Sequence, residues 1–289
     1  MGTSTPGGGG KNGDPLRPSW LPGDGAGQGG GDQGAPGQDG APGDGNHGDH
    51  DGPPTAEYTR ARSLFTQHIN SGVRGGAGGG GGGGGERTPL QRAVGRYVSN
   101  VAGGSRAAAS RMITSRGAAS ALGRLLFEAS GSGIREVARR LNLDALASRS
   151  LLEIYASLVD FICGEGGETE DAINRDAYLE AVDEIANMPD IDLERPSVET
   201  INLLIERFIA GTIDDRIVTA IATQIVTLPE NAADSQAVQQ DVRDFVLGRV
   251  QDAMAQVGRI FALDQIQLTI DNIYERALAI LQTYADDQQ

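Results

Sequence analysis

Apolar residues recur at helical spacing from about residue 88 onward, and the repeat is most regular near the C-terminus. Six positions there follow one another in alternating steps of four and three residues: Ile266, Ile270, Ile273, Ala277, Ile280 and Tyr284. This is the spacing of a helix that packs along one seam against another helix. A second long helical pattern ends near Ile260, so a short joint around residues 262–264 predicts an antiparallel helical hairpin.

Capping residues, glycines and prolines indicate where the other helices begin and end. Thr88 followed by Pro89 is typical of a helix start, and Ser150 marks a second one. No segment alternates apolar and polar residues in the manner of a half-buried strand. The sequence therefore predicts an all-α fold, a multi-helix bundle, with further helices from Thr88 to Gly103 and over residues 105–129 (broken at Gly117), 132–142, 150–164, 169–188, 197–210 and 212–227.

Glycine and proline divide the chain into regions. Residues 1–86 hold 30 of the 43 glycines and 8 of the 12 prolines. Such a composition buries too little apolar surface to offset chain entropy, so we expect a disordered tail over residues 1–54 and a poly-glycine linker over residues 72–86. Between them, residues 55–71 have the pattern of a short amphipathic helix, which leaves open whether it docks on its own domain or on a partner. Residues 87–289 are expected to form the helical domain.

Charge is segregated within that helical domain. Residues 87–149 carry 11 arginines and 3 acidic residues, whereas residues 150–289 carry 8 arginines and 27 acidic residues. The basic part is able to attract phosphate or an acidic partner, and the acidic part repels nucleic acid. We favour the interpretation that the two parts attract each other within the fold.

Several classes of protein are disfavoured by the composition. No apolar run approaches the roughly 20 residues that span a bilayer, and the start lacks a basic-then-apolar leader, so we expect a cytoplasmic protein without a membrane partner. A single cysteine, Cys163, excludes a disulfide framework and a cysteine-rich metal site, and we interpret it as a small buried hydrophobe.

No pattern in the chain points to catalysis. The run of eight glycines ending at Gly85 is followed by Glu86-Arg87-Thr88, which is not a phosphate-binding loop. The domain has no histidine, and the pair Asp214-Asp215, like residues 168–171, is interpreted as acids at helix starts. His47 and His50 lie in a polar stretch of the tail, where a metal site is disfavoured. We therefore expect no enzyme, no catalytic residue, no cofactor and no metal.

Two features of the tail are candidates for function. Removal of Met1 would leave Gly2-Thr3-Ser4 as the mature end, with an α-amine that is partly neutral near pH 7. Residues 15–22 (PLRPSWLP) form an apolar island around Trp20, the sole tryptophan of the chain. Tryptophan is a favoured interface anchor, so this island is either a recognition motif or a segment that folds back on the domain.

These strings, in their order along the chain, resemble the QatB family, the small helical component of the four-gene Qat anti-phage defence systems of bacteria. The resemblance rests on MGTST at 1–5, PLRPSWL at 15–21, RARSLF at 60–65, VGRYV at 94–98, GGSRA at 103–107 and LVDFIC at 158–163. None of these strings is a catalytic signature.

The resemblance implies partners and a role. QatB proteins act beside a KAP-like ATPase, a TatD-like nuclease and a QueC-like enzyme (QatC-type), which uses ATP to join the carboxylate of a 7-deazaguanine to an amine. It implies that this chain is the acceptor, modified at Gly2, with the partner-binding residues Thr3, Ser4, Leu16, Pro18, Trp20 and Leu21. Two alternatives stay open, namely an assembly scaffold for the ATPase and nuclease, and a nucleic-acid adapter that binds through residues 87–149.

Overall fold

The computed structural model describes residues 56–72, 87–146, 148–164, 169–222, 232–260 and 263–285. The chain divides into two units, residues 1–51 and 52–289, and all described residues belong to the second. They contain helices and no strand, so the prediction of an all-α fold is confirmed. The helices are α1 (Ala56–Gly72), α2 (Pro89–Arg96), α3 (Ser105–Arg111), α4 (Ile113–Ser132), α5 (Ile134–Arg140), α6 (Leu151–Ser157), α7 (Val159–Cys163), α8 (Thr169–Ala186), α9 (Val198–Ala222), α10 (Ala232–Val257) and α11 (Ile266–Gln282).

Two of the predicted helix starts are capping boxes. The backbone N–H of Gln91 donates to Thr88 Oγ1 at 3.2 Å, and the N–H of Thr88 donates to Gln91 Oε1 at 3.0 Å. Ser150 and Glu153 repeat the arrangement at the start of α6, at 3.3 and 2.9 Å. Each box pairs donors that an isolated helix start would leave without a partner.

The break predicted at Gly117 is wrong. Gly117 lies within α4, and the chain instead breaks at Met112, whose φ of −96° and ψ of 29° end α3 and begin α4. Met112 is buried, so its side chain is held in the core at the point where the helix axis changes. A single glycine costs a helix only about 1 kcal/mol, which the packing of α4 offsets.

The helices predicted over residues 197–210 and 212–227 are, as far as Ala222, one helix, α9, which runs through Gly211 without interruption. Residues 223–227 lie outside the described residues. A Cβ at Gly211 would lie 3.0 Å from the Cβ of Ala177 on α8. The glycine is therefore explained by the close approach of α8 and α9, and it does not end a helix. A smaller correction concerns residues 150–164, which form two helices that meet at Leu158.

The C-terminal hairpin is confirmed. Arg276 Nε donates to Gln256 Oε1 at 2.6 Å, and Arg249 Nη1 donates to the hydroxyl of Tyr284 at 2.6 Å, so α10 and α11 run antiparallel. Four of the six predicted seam positions are fully buried, namely Ile266, Ile270, Ile273 and Ala277, whereas Ile280 and Tyr284 are partly buried.

Helix α9 lies at the centre of the domain and packs against α4, α8 and α10. Five of its apolar side chains are fully buried: Ile201, Leu204, Ile205, Phe208 and Ile209. They belong to a single hydrophobic cluster that also includes residues of α1 and α2. Truncating one such side chain to alanine typically costs about 2–5 kcal/mol.

Candidate functional site

The residues that the sequence assigns to a functional site lie at the N-terminus and outside the described residues. This applies to Gly2, Thr3, Ser4, Leu16, Pro18, Trp20 and Leu21. The tail over residues 1–54, its two histidines and the run of glycines before Glu86 also lie outside them. What the structure does describe is the helix that follows the tail.

Helix α1 docks on its own domain. Ala61, Phe65 and Ile69 form its buried stripe, and the helix packs against α2 and α10. His68 Nε2 lies 3.1 Å from Asp241 Oδ2 on α10. The opposite face of α1 points outward and is polar, with Thr59, Ser63, Gln67 and Asn70 exposed. Helix α1 therefore fixes the point where the tail joins the domain.

Cys163 is buried, as the sequence suggests, and its environment lowers its reactivity. The Sγ–H donates to the backbone oxygen of Asn174 at 3.4 Å. Burial raises the pKa of the thiol to about 12, with the charge of Arg175 acting against that rise. Since the thiolate is the nucleophile, a protonated and buried thiol is unsuited to covalent catalysis.

The hydroxyls of three buried tyrosines form hydrogen bonds with backbone oxygens or a threonine hydroxyl inside the core. The hydroxyl of Tyr155 donates to the Leu193 oxygen at 3.0 Å, and that of Tyr178 donates to the Tyr155 oxygen at 2.8 Å. The hydroxyl of Tyr274 lies 2.8 Å from Thr212 Oγ1. Burial raises the pKa of each phenol, so all three are neutral structural groups that tie neighbouring elements together.

The acid pair Asp214-Asp215 is the most unusual titratable feature of the described domain, and its predicted place at a helix start is wrong. The two residues lie inside α9, because the helix continues through Gly211. Asp214 is only 7% exposed, and its Oδ1 has no hydrogen-bond partner. The sequence does not reveal the pair because Gly211 has the local signature of a helix end, although Ile209, Ile213 and Ile217 continue the helical period across it.

Burial is the main cause that raises the pKa values of this pair, to about 7 for Asp214 and about 6 for Asp215. Carboxylates on α8 add to the rise, whereas Arg243 on α10 opposes it and is itself paired with Glu180. Within the described residues, no group of three or more histidine, cysteine or acidic side chains has the geometry to hold a metal ion. The pair is therefore a proton-binding feature of the core.

Arginines of the basic part pair with acids of the acidic part. Arg116 Nε donates to Asp271 Oδ1 at 2.7 Å, and Arg135 pairs with Glu194. The guanidinium of Arg87 lies 5.3 Å from the ring centroid of Tyr284. These contacts support the interpretation that the two parts attract each other within the fold.

In the part of the chain that the structure describes, no helix has the length and apolar character needed to cross a membrane.

Comparison with known proteins identifies a family. A family model described as "QatB: Qat anti-phage system associated protein QatB" matches residues 103–281, which is more than half of the 289 residues. The matched range extends from α3 to the end of α11 and leaves the tail, α1 and α2 outside it. No curated protein and no solved structure matches the chain.

Proposed function

The chain belongs to the QatB family of the Qat anti-phage defence system, and on that premise we propose that it is an acceptor protein modified at its N-terminus. The amine of Gly2, exposed after removal of Met1, is joined to a 7-deazaguanine by a QueC-like partner (QatC-type). The chain itself is not an enzyme and contributes the substrate amine, a recognition motif and a folded domain. The reaction takes place in the cytoplasm.

The chemistry requires a neutral amine. The partner uses ATP to activate the carboxylate of the base, and the nitrogen of Gly2 attacks the activated carbonyl carbon. An amide bond forms, the activating group leaves with its electron pair, and the nitrogen loses its excess proton to solvent. An α-amine with a pKa near 7.7–8.0 is partly neutral at pH 7, whereas lysine side chains, of which Lys11 is the sole one here, ordinarily have a pKa near 10.4 and are charged at pH 7.

The observation that carries the proposal is the order of features along the chain. Gly2 is followed by a glycine-rich stretch, then by the apolar island around Trp20, and finally by helix α1, which is packed on the domain. Gly2 and Trp20 are 18 residues apart, which allows a reach of up to about 60 Å when extended. Anchor and reacting amine are therefore able to occupy separate sites on the partner.

Recognition is divided between two groups of tail residues. Thr3 and Ser4 are small polar neighbours of the amine and enter the partner's pocket with it. The anchor consists of Leu16, Pro18, Trp20 and Leu21, in which tryptophan supplies apolar area and the prolines reduce the entropy lost on docking.

Mass spectrometry of the intact chain, co-produced with active partner, tests the proposal. The expected product lacks Met1 and has gained the mass of the carboxylated base less one water, located on the peptide that begins at Gly2. Gly2→Leu is expected to block both methionine removal and modification, and Gly13→Leu serves as the matched control within the same tail. Unmodified Gly2 in a strain with active partner, together with defence that survives Gly2→Leu, would contradict the acceptor role.

The scaffold alternative is supported by apolar side chains that remain exposed on the domain. Phe161 is 60% exposed on α7 and Leu268 is 64% exposed on α11. A scaffold would use such residues to hold the KAP-like ATPase or the TatD-like nuclease. Phe161→Ser would then abolish assembly and leave N-terminal modification unchanged, which separates this alternative from the acceptor role.

A further inference from the structure

A cleft of about 350 Å³ lies where α9 begins and α10 ends. Helix α9 contributes Glu199, Leu203 and Glu206, which share one helix face, and α10 contributes Met254 and Ala255. The cleft is thus an apolar floor with carboxylates along one wall. Its volume is near the lower end of the range of about 300–1,000 Å³ that is typical of ligand pockets.

Hydrogen bonds between the two helices hold the cleft in shape. Gln251 Nε2 on α10 donates to Glu206 Oε1 on α9 at 2.9 Å. Asn202, also on the wall of the cleft, accepts from the backbone N–H of Ile260 at 2.9 Å and donates to its oxygen at 3.2 Å. A site that is already formed in this way loses little conformational entropy when it is occupied.

The mouth of the cleft is free of a side chain at one position. Gly258 ends α10 with a φ of +103°, and a Cβ built on it would meet nothing within 4 Å. Ala255 next to it is exposed and small. A long side chain from another molecule therefore has room to enter between the two helices.

The charges around the cleft favour a cation. Backbone and Ser197 hydrogen bonds at the start of α9 lower the pKa of Glu199, so its carboxylate stays ionised. Glu206 supplies a second carboxylate, and Arg259 is the cation among the lining residues. Arg207 Nη1 lies 3.7 Å from Glu206 Oε1, but Arg207 also pairs with Glu184 at 3.0 Å, so these three side chains together keep one negative charge. The cleft is thus net negative, in a part of the chain that has 27 acidic residues against 8 arginines.

We propose that this cleft binds a lysine or arginine side chain presented by a partner protein. The methylene groups of the side chain lie on Leu203 and Met254, and the cationic head reaches the carboxylates of Glu199 and Glu206. Basic side chains commonly bury their stems along apolar surface, and charge-assisted hydrogen bonds fix their heads. This binding site is independent of the modification at Gly2.

Methyl NMR of the full chain tests the proposal, because Met254 lies in the cleft and the chain has four methionines. The chain is labelled with ¹³C at the methionine methyl groups, and Met254→Leu identifies the resonance. The probe is N-acetyl-arginine methylamide, and the matched probe is its neutral citrulline analogue. We expect the Met254 signal to move with a dissociation constant on the order of 1 mM, while the signals of Met112 and Met188 stay unchanged.

Two variants test separately whether binding needs the negative charge of the cleft and whether it needs its open mouth. Glu206→Gln keeps an acceptor for Gln251 and removes the charge, so we expect arginine binding to weaken about threefold to tenfold, with Asp183→Asn on α8 as the charge control. Ala255→Phe fills the mouth and is expected to abolish the shift, whereas Ala237→Phe, exposed elsewhere on α10, leaves it intact. Thermal unfolding of each variant verifies that it is folded.

Two results would overturn the proposal. One is a Met254 signal that does not move with the arginine probe in the folded wild-type chain. The other is an equal response to the arginine and citrulline probes, which would mean that the carboxylates do not select a cation.

Discussion

The Cα of Gly95 on α2 lies against the backbone of Ala285, directly after the end of α11. A Cβ built on Gly95 would fall 2.3 Å from the backbone nitrogen of Ala285, closer than real Cβ contacts come. Near this contact, the guanidinium groups of Arg87 and Arg249 lie 5.3 and 5.8 Å from the ring centroid of Tyr284. The residues that follow α11 thus pack against α2 at Gly95, where any larger side chain would displace backbone atoms.

We predict that Gly95→Ala destabilises the domain by about 3 kcal/mol, because the added methyl group meets backbone atoms rather than a movable side chain. Urea unfolding followed by circular dichroism measures the change. Gly117→Ala is the matched control, since Gly117 also lies in a helix but has nothing within 4 Å, and it should stabilise by about 0.5–1 kcal/mol. Equal unfolding midpoints for Gly95→Ala and the wild type would show that α2 and α11 are not packed this closely.

Features that depend on local sequence were predictable, and features that depend on distant contacts were not. The hairpin of α10 and α11 and the capping boxes at Thr88 and Ser150 were predictable, since apolar period and capping chemistry are local properties. The role of Gly211 was not, because a glycine that admits a neighbouring helix has the same local signature as one that ends a helix. Whether a glycine is needed at Gly95 or Gly211 depends on Ala285 or Ala177, which are distant in sequence.

The candidate site divides in the same way. Gly2 and Trp20 stay predictions, because they lie outside the described residues and rest on the sequence alone. The burial of Asp214 and the hydrogen bond from Gln251 to Glu206 depend on the helices that pack beside α9. Composition alone therefore does not distinguish these two residues from solvent-exposed acids.

Cys163 is predicted to react slowly with thiol reagents in the folded protein. Burial protects the sulfur and raises its pKa to about 12, so the thiolate is rare at neutral pH. Because it is the sole cysteine, absorbance with Ellman's reagent reports on it alone. The rate is expected to be at least about 100-fold lower than in urea-unfolded protein, and similar rates in the two states would contradict the buried position.

Trp20→Ala is predicted to weaken binding to the QueC-like partner by about 2 kcal/mol or more, about thirtyfold in the dissociation constant. Isothermal titration calorimetry measures the affinity, and Ser19→Ala is the control in the same motif. As the sole tryptophan, Trp20 also reports on its own environment, so its fluorescence should shift to shorter wavelength when the partner is added. Unchanged emission together with unchanged affinity of the alanine variant would assign Trp20 to another role.

Asp214→Asn is predicted to alter how stability depends on pH. The carboxyl of Asp214 has a pKa of about 7 in the folded state, against an ordinary value of 3.8 for an aspartate. Between about pH 4 and pH 7 the folded state therefore keeps a proton that the unfolded state releases, and the free energy of unfolding falls as pH rises. Asparagine stays neutral, so it removes the pH dependence of the free energy of unfolding that Asp214 causes. The neighbouring charged groups are present in both proteins: Asp215 on α9; Asp176, Glu180 and Glu184 on α8; and Arg243 on α10.

The quantity to measure is the difference in free energy of unfolding between Asp214→Asn and the wild type as a function of pH. Relative to wild type, Asp214→Asn should gain about 2–4 kcal/mol of stability on going from pH 4 to pH 8, because each unit of pKa shift corresponds to about 1.4 kcal/mol. The gain should level off above about pH 7, where Asp214 is ionised in both states. Urea unfolding at a series of pH values provides the curve, with Asp183→Asn, an exposed acid on α8, as the flat control. A difference curve for Asp214→Asn that is equally flat would mean that its carboxyl is solvated in the folded protein, since burial is the main cause that raises its pKa.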